Sequence, residues 1–153
     1  MAIEAGAKAP KIDLLDDAGN PFKLSALKGK TVVLFFYPKA DTPGCTKEAC
    51  EFRDAEVAFA KTETVILGIS PDESRAQAQF KTKFSLPYTL LCDPEHTVAE
   101  AYEVWKEKSM YGKKYMGIER TTFIIGPDGK IVKIFNKVKP DGHAAEVLAA
   151  IAG

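Results

Sequence analysis

The sequence predicts an α/β fold, with a central mixed sheet flanked by helices and a small hairpin extension at its N-terminus. Three observations carry this. Residues 31–37 and 64–70 are β-branched and apolar runs with little polar alternation, the pattern of strands buried on both faces between helical layers. Each run is followed by a stretch whose apolar residues return at helical spacing. Near the C-terminus, two further strand-like segments flank Gly126, Pro127, Asp128 and Gly129, and a last helical stretch follows.

Taken in order, residues 11–24 read as a hairpin. Ile12, Leu14 and Leu15 lead into a turn-forming cluster that ends at Pro21, and Phe22 and Leu24 alternate on the return. Residues 25–29 make a single helical turn that Gly29 ends. From Pro43 to about Lys61 the pattern is helical, with Cys45, Ala49, Phe52, Phe59 and Ala60 as its apolar stripe. Pro71, Asp72, Glu73 and Ser74 open a second helix carrying Ala76, Phe80 and Phe84. Residues 88–92 are a short strand, and Asp93, Pro94 and Glu95 open a third helix with Val98, Ala101 and Tyr102. Residues 104–119 are aromatic and basic, with glycines at 112 and 117, and read as a loop or irregular ribbon. Residues 121–125 and 130–136 are the arms of a second hairpin, and residues 142–152 a helix showing Val147, Leu148 and Ile151. With no repeat, low-complexity tract or linker, residues 1–153 are expected to form one domain. The β–α–β–α–β–β–α order is that of a thioredoxin-like fold, which by itself carries no function.

A chain of 153 residues is long enough to bury about 70% of its unfolded surface without metal or disulfide staples. Lys plus Arg and Asp plus Glu each number 21, so no net charge draws the chain to nucleic acid or an anionic membrane. The longest uncharged apolar run falls far short of the ~20 residues a membrane span needs. The N-terminus lacks a hydrophobic signal core, so a cytoplasmic protein is expected. Three cysteines in a reducing compartment are structural, metal-binding or redox-catalytic.

Cys45 stands where its thiol is easiest to ionise. Thr42 reads as an N-cap whose hydroxyl accepts a first-turn amide, Pro43 fits the first helical position, and Cys45 is then the third. Unpaired amides and the macrodipole favour a thiolate there. The competing reading is a buried structural thiol. Cys50 lies five residues on, which in a helix means about 7.5 Å of rise and about 140° of rotation. The Cα atoms are then roughly 8.6 Å apart, beyond the ~7 Å a disulfide tolerates, so the two bond only if the helix unwinds. Alternatively Cys50 is simply a small helix-facing hydrophobe. Cys92 reads as structural, because nothing near it in sequence polarises it.

Other chemistries are weaker. Cys45, Cys50, Cys92 and His96 could in principle bind zinc, but a four-residue gap inside a helix turns two sulfurs apart, and no metal is expected. There is no Cys-x-x-Cys pair of the dithiol oxidoreductases. His96 and His143 read as exposed helix residues without a catalytic role, which leaves a Cys–His hydrolase unsupported. Arg120, taken alone, is a solvated strand end.

Pro38-x-x-x-Thr42-x-x-Cys45 matches the active-site motif of the peroxiredoxins. The longer string Phe36-Tyr37-Pro38 … Thr42-Pro43-Gly44-Cys45-Thr46-x-x-Ala49-Cys50 resembles their Q-type, or bacterioferritin comigratory protein, branch. The likeness covers nearly the whole chain and continues through residues 106–118, from Lys106 to Ile118, and through Arg120, Thr121, Thr122 and Phe123. It implies thiol-dependent reduction of hydrogen peroxide and organic hydroperoxides, without a cofactor. Cys45 would be the peroxidatic cysteine, with Thr42 aiming its hydroxyl at sulfur and peroxide. Arg120 would steady the charge, Pro38 shield the sulfur, and amides near Gly44 and Cys45 serve as donors. Cys50 would resolve the sulfenic acid to an intramolecular disulfide, which thioredoxin or a similar dithiol reduces.

Lowering any thiol's pKa from about 8.5 to about 6 raises its thiolate fraction at neutral pH only about thirtyfold, so a fast peroxidase also needs transition-state donors. Two departures from the family pattern stand out. The helix around residues 80–85 has no cysteine, which leaves Cys92 as a backup thiol or a structural one. The chain also lacks the second-cysteine tail of typical two-cysteine members, so a monomer is expected. A slow thiol redox sensor or binding module and a zinc-stabilised structural domain are the alternatives from other classes.

Overall fold

The computed structural model describes residues 3–152, so residues 1, 2 and 153 of the expected domain lie outside it. The chain runs through β1 (Asp13–Asp16), β2 (Pro21–Lys23), a 3-10 turn (Leu24–Leu27), β3 (Thr31–Phe36), α1 (Pro43–Ala60) and β4 (Thr64–Ser70). It continues through α2 (Ser74–Phe84), β5 (Thr89–Cys92), α3 (Thr97–Ala101), β6 (Trp105–Met110) and β7 (Lys113–Ile118), and ends with β8 (Thr121–Ile125), β9 (Ile131–Phe135) and α4 (His143–Ala152).

Seven strands form one sheet in the order β2-β1-β5-β4-β3-β8-β9. The three inner strands β3, β4 and β5 are parallel, while β8, β9, β1 and β2 join antiparallel, which makes the sheet mixed as expected. β3 lies near its centre and divides its side chains between two cores. Val32, Leu34 and Phe36 join a cluster that includes Ala9, Ile12 and the α3 residues Val98 and Ala99. Val33, Phe35 and Tyr37 join another with Cys45, Ala49, Phe52 and Phe59 of α1, Phe80 of α2 and Val147 of α4. This is the thioredoxin-like arrangement of helices on both faces of a sheet, with Cys45 on the face of α1 that packs toward β3.

Several expectations are corrected. Residues 104–119 are a regular ribbon, β6 against β7 in continuous register from Trp105↔Ile118 to Met110↔Lys113. It pairs only with itself, so most of both faces is wet and the alternation that marks a half-buried strand is missing. Tyr111 and Gly112, at φ 53° and 78°, make its two-residue turn. The third helix begins at Thr97, because the Asp93 carboxylate reaches ahead to accept the amides of Val98 and Ala99 at 3.3 and 2.8 Å. His143 is buried and not exposed: its Nε2 meets Thr122 Oγ1 at 2.8 Å and its Nδ1 meets Glu146 at 2.9 Å. Ala60 is exposed at the end of α1, whereas Gln77 of α2 is buried between the Tyr37 hydroxyl and the Leu91 carbonyl.

Gly68, in the middle of β4, lies under the aromatic cluster. A Cβ there would sit 2.8 Å from Leu90 Cδ2, 3.0 Å from Phe35 Cζ and 3.2 Å from Tyr37 Cε1. Gly68→Ala is therefore expected to destabilise the fold by ~1–3 kcal/mol through overpacking, read as a lower urea midpoint at unchanged m-value.

Candidate active site

Register brings the candidate residues together. β8 runs antiparallel to β3 with Thr121 opposite Phe36. Arg120 therefore emerges at the sheet end where the chain leaves β3 for Pro38 and the start of α1. Pro38 is half-buried at the start of that turn, one residue past fully buried Tyr37. The turn is clamped from the α2 side: the Ala40 amide donates to Asp72 Oδ2 at 2.7 Å, and Lys83 pairs with Asp41 at 2.9 Å.

Thr42 is the N-cap of α1 by backbone, its carbonyl accepting the Thr46 amide at 2.8 Å, and Pro43 takes the first helical position as expected. The side-chain cap is not formed. Asp41, at φ 60°, folds the turn back, and Thr42 Oγ1 donates to the Lys39 carbonyl at 2.7 Å. The hydroxyl thus leaves the first-turn amides uncapped.

Cys45 is 1% exposed, and its Sγ accepts a hydrogen bond from Arg120 Nη2 at 3.4 Å. Arg120 Nη1 donates to Glu48 Oε1 at 2.8 Å. Arg120 is thus no solvated strand end: its side chain is 16% exposed and bridges Cys45 to a Glu48 side chain that is 0% exposed. Burial works against its charge, but Glu48 and Cys45 outweigh that and raise its pKa. Gly44 leaves room for the guanidinium, since a Cβ there would lie 3.2 Å from Nη2.

Glu48 is the residue sequence reasoning missed. The available signal was a carboxylate inside the apolar stripe, three residues after Cys45 and beside Ala49. Burial pushes its carboxyl up to about 7 despite the opposing pull of Arg120, with Glu51 adding to the rise. The folded chain therefore holds a proton that the unfolded chain has already released. This contribution to stability is complete below the ordinary carboxylate range and is lost as pH rises through about 7.

Cys50 is half-buried five residues along the same unbroken helix, and all three cysteines are free. Cys92, at the end of β5, is 4% exposed beside Ser74 Oγ and the Asp16 carbonyl, and burial pushes its thiol up. His96 stacks on Trp105 with ring centroids 4.0 Å apart. Among the described residues no three His, Cys, Asp or Glu gather as a metal group.

A thioredoxin-like sheet with a buried thiol at a helix N-terminus under a guanidinium defines a thiol-redox enzyme. The family model for AhpC/TSA proteins matches residues 5–134. The chain is 52% identical over 151 residues to the peroxiredoxin Bcp of Bacillus subtilis (99% of this chain, 96% of the relative). It is 43% identical to the peroxiredoxin Bcp of Escherichia coli K12 over 146 residues (95% of this chain, 94% of the relative). A solved structure of the Xanthomonas campestris bacterioferritin comigratory protein, described for its alkyl peroxide reduction activity, superposes with a TM-score of 0.91 at 37% identity (97% of this chain, 98% of that one). The chain belongs to the AhpC/TSA family and is a thiol-dependent peroxidase of the peroxiredoxin class.

Gly44→Ala is expected to push the guanidinium off Cys45 and lower the second-order rate with peroxide roughly tenfold, a fraction of the loss from removing a transition-state donor outright. Its thermal midpoint should fall, because displacing the buried guanidinium costs more than the ~1 kcal/mol that Ala gains over Gly in a helix. Glu48→Gln is expected to remove part of the stability loss between about pH 6 and about pH 8, measured as urea midpoints at both.

Proposed function

We propose that Cys45 is the peroxidatic nucleophile and that Cys50 resolves it, the substrates being hydrogen peroxide and organic hydroperoxides. The observation that carries this reading is the Arg120 Nη2 hydrogen bond to Cys45 Sγ at 3.4 Å, with the guanidinium held from behind by Glu48. The thiolate attacks the terminal peroxide oxygen. A sulfur–oxygen bond forms, the oxygen–oxygen bond breaks, and the leaving oxygen takes a proton to become alcohol or water. Arg120 and the uncapped amides near Gly44 and Cys45 stabilise charge on the breaking bond. The Thr42 hydroxyl, oriented by the Lys39 carbonyl, keeps its lone pairs free for the peroxide hydrogen. Pro38 narrows access to the sulfur.

Cys50 then attacks the sulfenic sulfur: the disulfide bond forms, the sulfur–oxygen bond breaks, and the proton given up by the Cys50 thiol goes to the departing hydroxyl, which leaves as water. In α1 as it stands the two Cα atoms are roughly 8.6 Å apart, so the front of the helix unwinds in every cycle. Thioredoxin or a similar dithiol reduces the disulfide. The enzyme works as a cytoplasmic monomer built from one domain, residues 1–153. No helix among the described residues is long and apolar enough to cross a membrane.

Peroxide consumption with a thioredoxin system tests the assignment. Cys45→Ser should be inactive, and Cys50→Ser should consume one equivalent and then stall. Mass mapping after one equivalent should find Cys45 joined to Cys50. Full turnover by Cys50→Ser would remove its resolving role and move attention to Cys92 or an external thiol.

A further inference from the structure

Glu48 Oε2 is the buried side-chain oxygen that, among the described residues, has no hydrogen-bond partner, while Oε1 takes Arg120. A bare oxygen on a buried carboxylate is costly, and a proton on it removes the charge that makes it so. The guanidinium that would compensate that charge is already divided, since its other nitrogen faces Cys45 Sγ at 3.4 Å. One cation thus meets two acids a single helical turn apart, with Cys45 at 1% and Glu48 at 0% exposure. Two anions beside one guanidinium leave an uncompensated charge away from water, whereas one anion leaves none.

The groups around the pair do not supply a second cation to the carboxyl. Glu51, on the same helix, opposes its ionisation. Tyr88, ahead of β5, faces it with a phenol whose hydroxyl donates to the Ala49 carbonyl. Lys108 of β6 and His143 of α4 oppose the guanidinium's charge, and half-buried Lys108 also stands as a cation toward the Cys45 sulfur, so what it adds favours the thiolate and not the Glu48 carboxylate.

We propose that Glu48 and Cys45 share one proton, so that the carboxyl carries it while the sulfur is a thiolate, and Arg120 then serves the sulfur alone. This rests on Cys45 being the nucleophile. The exchange converts a Cys45 thiol and a Glu48 carboxylate into a thiolate and a carboxylic acid, with no change of oxidation state. On attack the sulfur's electron pair forms the sulfur–oxygen bond, and the oxygen–oxygen pair leaves on the departing oxygen. Sulfur is oxidised by two electrons and the peroxide reduced by two. The departing oxygen becomes alcohol or water, and the site loses the Glu48 proton in balance. With the sulfenic acid neutral, the Glu48 carboxylate becomes the counter-ion of Arg120. Glu48 is a positioning residue that acts through Arg120 and through charge.

The test is the pH profile of the second-order rate with hydrogen peroxide for wild type and Glu48→Gln, which keeps an acceptor for Arg120 and cannot ionise. The wild-type limb should be broader than a single-proton curve, because two coupled acids titrate together. In Glu48→Gln it should become a single-proton curve displaced about one pH unit downward. A wild-type curve merely scaled in height, the mark of a structural role, overturns the proposal. A second measurement leaves Glu48 in place: the midpoint of its carboxyl carbon, followed by NMR, should be lower in Cys45→Ser than in wild type. Equal midpoints overturn the shared proton. Peroxide consumption by Cys45→Ser would instead overturn the nucleophile assignment, so the two failures are told apart.

Discussion

The arrangement depends on one guanidinium held in a fixed place. Arg120 is largely shielded from water, and each side of its fork is used, Nη1 on Glu48 and Nη2 on Cys45. Removing one partner from such a buried pair costs about 3–5 kcal/mol, because a charge is left behind without a counter-ion. This explains why so much of the surrounding structure serves its position. The β3–β8 register delivers Arg120 to the end of the sheet, Gly44 clears the space over the helix start, and Glu48 fixes the plane of the fork.

The same constraint shapes α1. Its rear half is anchored by Phe52 and Phe59, each fully buried, while further forward the Tyr88 hydroxyl donates to the Ala49 carbonyl at 2.6 Å. Its front is held more lightly. Lys47 and Asp141 pair at 54% and 86% exposure, where an ion pair contributes little. Pro43 is exposed and Gly44 half-buried, so the first turn is attached through Cys45, which packs into the apolar core and meets Arg120. In the proposed cycle, oxidation removes the charge from one of the two partners that hold that turn. A helix with a firm rear and a front tied to its own reactive sulfur suits a thiol that is kept in place until it has reacted.

Much of this was legible from local pattern. The two central strands, the start of α1 at Pro43 and the terminal hairpin follow from runs, caps and turns set by neighbouring residues. Pattern failed where a segment's surroundings decide its form. The β6–β7 ribbon stands off the main sheet and carries no half-buried alternation, and His143 looked exposed until β8 supplied Thr122 to its ring. The Thr42 side chain went wrong for the same reason. Its partner is a carbonyl that only the folded-back turn at Asp41 presents.

Sequence alone determined the layered α/β fold, the thiol at the third position of a helix and the peroxiredoxin motif around it, because each is written in residues close together along the chain. Only the tertiary structure decided what that thiol meets. Arg120 is 75 residues away from Cys45 and 72 from Glu48, and no spacing rule joins them. The antiparallel register of two strands does so, and the burial that follows turns an unremarked glutamate into the carboxyl that shares the guanidinium with the sulfur.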